Sequence, residues 1–172
     1  MHTPTLLIKD ADCVATMDDA GTEWRHASVL IQGPRILACG PTADLDPALL
    51  AQATDVIDAR GHVVIPGLVN THHHMYQSLT RAIPAAQDAE LFTWLRTLYP
   101  IWAGLTPEMV RVSTQVAMAE LLLSGCTTSS DHLYIYPNGV RLDDSIEAAQ
   151  QIGMRFVATR GSMSVGQSAG GL

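Results

Sequence analysis

The chain has 172 residues, 47% of them apolar, 16% charged and 5% aromatic, a composition that excludes disordered, collagen-like and fibrous proteins and suffices for one sizeable core. Ten Lys and Arg against 17 Asp and Glu give a formal charge of −7, the wrong sign for neutralising a nucleic-acid backbone or an anionic membrane. Cys13, Cys39 and Cys126 form neither a C-x-x-C pair nor a disulfide framework, which points to a reducing cytoplasm, and no apolar run approaches the ~20 residues of a spanning helix.

Short segments rich in Val, Ile and Leu fill the first 65 residues, at 6–9, 13–17, 28–32, 36–39, 55–59 and 62–65. Asp18-Asp19-Ala20-Gly21, Gly33-Pro34 and Gly40-Pro41 supply turns between them. A small antiparallel β domain is predicted over 1–65, with one short helix around 47–52. From residue 66 the rhythm becomes β, α, β, α, β, the pattern of a parallel sheet with crossover helices. Its strands are predicted at 63–70, 127–133 and 155–160.

One helix is predicted from Thr106, a capping residue, through Pro107 at its first position to Gly125 at its end. Val110, Thr114, Ala117 and Leu121 share one face of it and suit packing on the sheet. A second helix is predicted over 143–152, stopping at Gly153, and a third stretch over 89–98 lies within an insertion at 75–105. The last twelve residues, GSMSVGQSAGGL, follow a strand with no closing element behind them and read as an interrupted ending.

The run Ile65-Pro66-Gly67-Leu68-Val69-Asn70-Thr71-His72-His73-His74 is an apolar strand ending in three histidines. Side chains alternate along extended chain, so His72 and His74 share a face and His73 opposes them. Two neutral imidazoles so placed can share a divalent cation on a rigid strand end. A solvated histidine loop or an incidental metal scavenger has the same signature.

The segments LLIKDA ending at Ala11, SVLIQGPRILACG at 28–40, VIDARGHVVIPG at 56–67 and the H-x-H that follows resemble the amidohydrolase superfamily over essentially the whole chain. The resemblance implies a fold in which 1–65 is part of a β-sandwich and 66–172 the first three strands of a metal-dependent (β/α)8 TIM barrel, with His72 and His74 as metal ligands where barrel active sites gather. Zn²⁺ is the expected ion, with Fe²⁺ or Mn²⁺ as alternatives. THHHMYQSLTRA at 71–82 and LFTWLRTLYPIWA at 91–103 are similar to the purine, pterin and triazine aminohydrolases of that superfamily, and nearest in form to its 8-oxoguanine deaminases.

That likeness implies hydrolytic deamination of an amino-substituted heterocycle, 8-oxoguanine to urate and ammonia, by metal-activated water attacking the ring carbon that bears the amino group. Guanine, isoxanthopterin and hydroxytriazines are the alternative substrates. It places Gln77 and Trp94 against the substrate, to read its polar edge and to stack on it or exclude water. Arg160, at the third strand's end, suits a substrate carbonyl or oxyanion. Each has an ordinary counterpart: an exposed polar Gln, a core Trp, a structural Arg ion pair. His132 is read as a scaffold histidine, and His2, His26 and His62 receive no role.

The family's acid/base Glu, His and Asp are expected beyond residue 172, since such a barrel takes ~250 residues. The 172-residue chain alone is accordingly expected to bind metal weakly and to show no turnover, and the full-length enzyme to be a cytoplasmic homo-oligomer with neither nucleic-acid nor membrane partners. A non-catalytic α/β binding module with incidental histidines is the reading from another functional class.

Overall fold

The computed structural model describes residues 4–172, and the chain divides into two compact units at the Pro66–Gly67 junction. In the first unit, β1 (Thr5–Ala15), β2 (Glu23–Gln32) and β3 (Arg35–Pro41) form a consecutive antiparallel set. β4 (Asp55–Asp58) and β5 (Val63–Val64) both pair with β1 in parallel. The sheet is therefore mixed, where composition and turns alone predict an antiparallel one. The reason lies in residues 42–54: a 3-10 turn at Thr42–Asp44 and a one-turn helix, α1 (Pro47–Leu50), make the connection long enough for a parallel return. Asp46 caps α1 by accepting the Ala48 N–H at 2.9 Å.

The segments expected at 6–9 and 13–17 are one strand, β1, interrupted by a bulge between Ile8 and Ala11 where Asp10 takes a φ of +58°. The bulge removes the Asp10 N–H from the ladder, and the buried Ser28 hydroxyl accepts it at 3.0 Å. It also divides β1 into a half that carries β4 and a half that carries β5. Ala11, Val14, Ala27, Val29 and Ala59 form this unit's core.

The second unit is α/β. Three parallel strands, β6 (Leu68–Asn70), β7 (Cys126–Leu133) and β8 (Arg155–Arg160), lie in that order. Helices α2 (Leu91–Trp102) and α3 (Pro107–Leu123) connect β6 to β7, and α4 (Leu142–Ile152) connects β7 to β8. The strand predicted over 63–70 is split: Val63–Val64 belongs to the first sheet and Leu68–Asn70 to the second. Pro66 has no N–H to give a ladder, which separates the two. Gly67 is required beside it, because a Cβ there would overlap the Thr127 side chain and push β6 off β7.

The capping residues act as their positions predict. Thr106 accepts the Met109 N–H at 3.3 Å, Pro107 opens α3, and Gly125 follows the helix with a φ of +86°. Val110, Thr114 and Ala117 are buried along α3, and Leu121 packs half-buried in the same row. α2 runs four residues past its predicted end at 98, through Pro100, because Leu98 and Trp102, one turn apart, are both fully buried. Between α3 and α4, Arg111 spans Glu108 at 3.1 Å, the buried Asp144 at 3.3 Å and Glu147 at 3.5 Å.

Candidate metal centre at the strand ends

As β6 ends, the Asn70 side chain accepts the His72 N–H at 3.0 Å and turns the chain out of the sheet. The main chain then stays tied to β7, with the His132 N–H donating to the His73 carbonyl at 2.9 Å. In this frame the rings of His72 and His74 lie 5.3 Å apart and perpendicular. The Nδ1 of His74 is 2.8 Å from the His132 carbonyl. A carbonyl only accepts, so Nδ1 carries the proton and Nε2 keeps its lone pair free for a cation.

His73 differs from its neighbours. Its Nδ1 is buried and without a hydrogen-bond partner. Burial first, then the adjoining His74 and His72, pushes its pKa below the usual imidazole value, so the ring is held neutral.

Gln77 lies in the 3-10 turn Met75–Thr80 that directly follows His74, its N–H donating to the His74 carbonyl at 3.0 Å. Its side-chain amide faces the hydroxyls of Tyr76 at 3.3 Å and Tyr134 at 3.5 Å. An open cavity of about 370 Å³ is lined by His72, His73, His74, Gln77, Arg81 and Glu120, among others. Arg160, at the end of β8, sits with its guanidinium 5.0 Å over the Tyr136 ring and lines a cavity of about 440 Å³ with Tyr134, Tyr136 and Met163. Trp94 lines neither cavity; it is half-buried on α2, edge-on to Trp102 at 5.4 Å. The fold thus places Gln77 with the histidine pair, Arg160 in a second cavity, and Trp94 in an aromatic cluster.

Tyr134 links the two cavities. It lines the second one while its ring stands edge-on to His74 at 5.4 Å and 5.7 Å from His132. Gly161 makes this crowding possible, because a Cβ there would overlap both the His132 ring and the Tyr134 Cβ. Asp131 is only 2% exposed; one carboxylate oxygen accepts the Met75 N–H at 2.8 Å, and the other has no partner. Burial is the main influence raising its pKa, opposed by the Met75 N–H. Sequence reasoning gave Asp131 and Tyr134 no role. Neither declares itself locally in the sequence, because both meet the residues after β6 only across the sheet.

The donor set fits a divalent cation in kind: two imidazoles, one with its tautomer fixed by a backbone carbonyl. It is incomplete in number. Among the described residues no group of three or more His, Cys, Asp or Glu is arranged to hold a metal ion, and catalytic zinc usually takes three protein ligands.

Residues 63–170 match the amidohydrolase family, and the chain belongs to it. It is 56% identical over 117 residues to an 8-oxoguanine deaminase of Pseudomonas aeruginosa, covering 67% of this chain and 26% of that protein. It is also 36% identical over 169 residues to a hydroxydechloroatrazine ethylaminohydrolase of a Pseudomonas species, covering 91% of this chain and 34% of the relative. The structure of an atrazine chlorohydrolase from Arthrobacter aurescens complexed with zinc superposes with a TM-score of 0.85 at 35% identity, over 97% of this chain and 38% of that one. The chain therefore spans about a quarter to two fifths of the length of these relatives. Among the described residues no helix is long and apolar enough to cross a membrane.

Proposed function

We propose that this chain belongs to a metal-dependent hydrolytic deaminase whose substrate is an amino-substituted heterocycle, with 8-oxoguanine as the first choice. The observation that carries the reading is the His72–His74 pair at the end of β6, with the His74 Nδ1 committed to a backbone carbonyl and Nε2 left free. Support for the substrate comes from the 56% identity to an 8-oxoguanine deaminase, a protein whose name states that activity. On this reading residues 1–65 are part of a β-sandwich, and 66–172 contribute the first three strands of a (β/α)8 barrel. Zn²⁺ is the proposed ion, and a cytoplasmic homo-oligomer the proposed form.

A bound divalent ion supplies Lewis-acid activation of water at neutral pH. His72 and His74 would hold that ion. Water oxygen bonds to the ring carbon bearing the amino group, the carbon–nitrogen bond breaks, and the amine departs as ammonia with a proton delivered to it. 8-Oxoguanine and water so give urate and ammonia. Gln77 reads the polar edge of the ring from the turn beside His74. Arg160 offers a fixed positive charge to a substrate carbonyl or developing oxyanion from the second cavity, and Trp94 is the proposed residue to stack on the substrate or exclude water, from the aromatic cluster it shares with Trp102. Two imidazoles leave the usual ligand set one short, so the 172-residue chain by itself is expected to show no turnover.

Ammonia release by the product of the natural gene, measured across 8-oxoguanine, guanine, isoxanthopterin, cytosine and hydroxytriazines, tests the substrate. The highest kcat/KM is expected on 8-oxoguanine, with urate formed in equal amount to ammonia. A higher value on isoxanthopterin or a hydroxytriazine moves the assignment to that substrate. Ammonia from none of them favours a non-catalytic binding module.

A further inference from the structure

We infer that Asp131 and the main chain of His132 act together as a clamp that positions His74, presenting its Nε2 to the metal; this rests on the metal-site reading above. Three hydrogen bonds cross from the end of β7 to three successive residues after β6. The His132 N–H donates to the His73 carbonyl at 2.9 Å, the His74 Nδ1–H donates to the His132 carbonyl at 2.8 Å, and the Met75 N–H donates to the Asp131 Oδ1 at 2.8 Å. His74 is thus held by its own ring and by main-chain bonds on both sides.

Asp131 is ill suited to a role as filler. It is 2% exposed, its Oδ2 has no partner, and fully buried Met75 adjoins it. Burying a carboxyl with half of its acceptor capacity unmet opposes folding, so an apolar residue would serve better if the site only needed filling. What an apolar residue cannot do is accept the Met75 N–H. That N–H belongs to the residue following His74, at the start of the Met75–Thr80 turn. Main-chain rotation at this point would swing the His74 ring away from the His132 carbonyl and free the other tautomer, whose protonated Nε2 cannot bind a cation. Asp131 is therefore a positioning residue and touches neither metal nor substrate.

The test uses the product of the natural gene, stripped of metal, above the histidine titration range. Long-range ¹H–¹⁵N correlation spectra report which His74 nitrogen carries the proton, and calorimetric titration with Zn²⁺ reports affinity. The wild type is expected to show His74 in the Nδ1–H form alone. Asp131→Asn keeps an acceptor oxygen and is expected to retain that tautomer and bind Zn²⁺ like the wild type. Asp131→Leu is expected to mix the tautomers and weaken Zn²⁺ binding by about tenfold to a hundredfold.

A folded Asp131→Leu protein with a single Nδ1–H tautomer and unaltered Zn²⁺ affinity overturns the clamp, because a merely structural aspartate would change the melting temperature and neither readout. If the Leu variant does not fold, the Asn variant decides: mixed tautomers in a folded Asn protein overturn the proposal, and a single one supports it. Tautomers are read without metal, so the two ideas fail separately. Mixed His74 tautomers in the wild type reject the clamp alone. Zn²⁺ binding that is indifferent to His72→Ala and His74→Ala rejects the metal reading alone.

Discussion

The two units treat histidine in opposite ways. In the first, His26 is an exposed residue with a φ of +49° on a strand of a mixed sheet, and the ring of His62 has a local partner, its Nδ1 lying 3.0 Å from the Arg60 carbonyl. In the second, parallel strands all end on one side, so residues that follow β6 and residues near the end of β7 meet: His72, His74, His132 and Tyr134 form a continuous set of ring contacts. Strand direction, more than residue type, makes a site. A mixed sheet scatters strand ends to both sides, whereas a parallel one collects them.

Substitutions that separate the two sets of histidines give the largest expected contrast. His72→Ala and His74→Ala should each lower ammonia release by the full gene product more than about a hundredfold, beyond the usual effect of losing a residue that merely supports a ligand. His26→Ala and His62→Ala should leave it unchanged. Equal losses in both sets would remove the distinction between the units.

Ion pairs give a second contrast. Asp144 is 2% exposed and depends on Arg111 at 3.3 Å and the Arg141 N–H at 2.8 Å. Arg111→Ala strands a buried carboxylate and should destabilise the second unit by about 3 kcal/mol in chemical denaturation. In the first unit Asp58 and Arg60 pair on the surface, and Arg60→Ala should lower the melting temperature at neutral pH far less than Arg111→Ala does.

Crowding at Gly161 is expected to matter less than the lost ion pair. Gly161→Ala forces His132 and Tyr134 apart and should cost about 1–3 kcal/mol, with chemical-shift changes centred on His74. Unmoved His74 signals would mean that the ring cluster tolerates displacement.

The smallest effect is a titration. Hydrogen bonds from Arg60 hold the Asp58 carboxyl down to about 2, from an ordinary 3.8. A lowered acid favours the folded state above its unfolded value, and that contribution fades as pH falls from 3.8 through about 2. Arg60→Ala should return the Asp58 titration, followed by NMR, toward 3.8.

Much of this was legible in residue order. Thr106, Pro107 and Gly125 mark the ends of α3 because caps act through local geometry, whereas the H-x-H spacing alone left a solvated loop open and pointed to a metal pair only with the family resemblance of the segments around it. The parallel pairing of β4 and β5 was hidden, since turn residues report that a chain reverses and not which strand it returns to. The break at Pro66 was legible in principle, yet the apolar run on both sides masked it. Gln77 was found through the family resemblance of the segment at 71–82, and the fold places it in the turn after His74. Asp131 reaches Met75 and Tyr134 reaches His74, each from more than fifty residues away, and a single sequence carries no local trace of such a contact.

The most direct trial of the account is the zinc content of the purified gene product, by elemental analysis, in the wild type and in the His72→Ala, His74→Ala double variant. The account predicts one zinc per chain in the former and almost none in the folded latter. Equal zinc in both would contradict it.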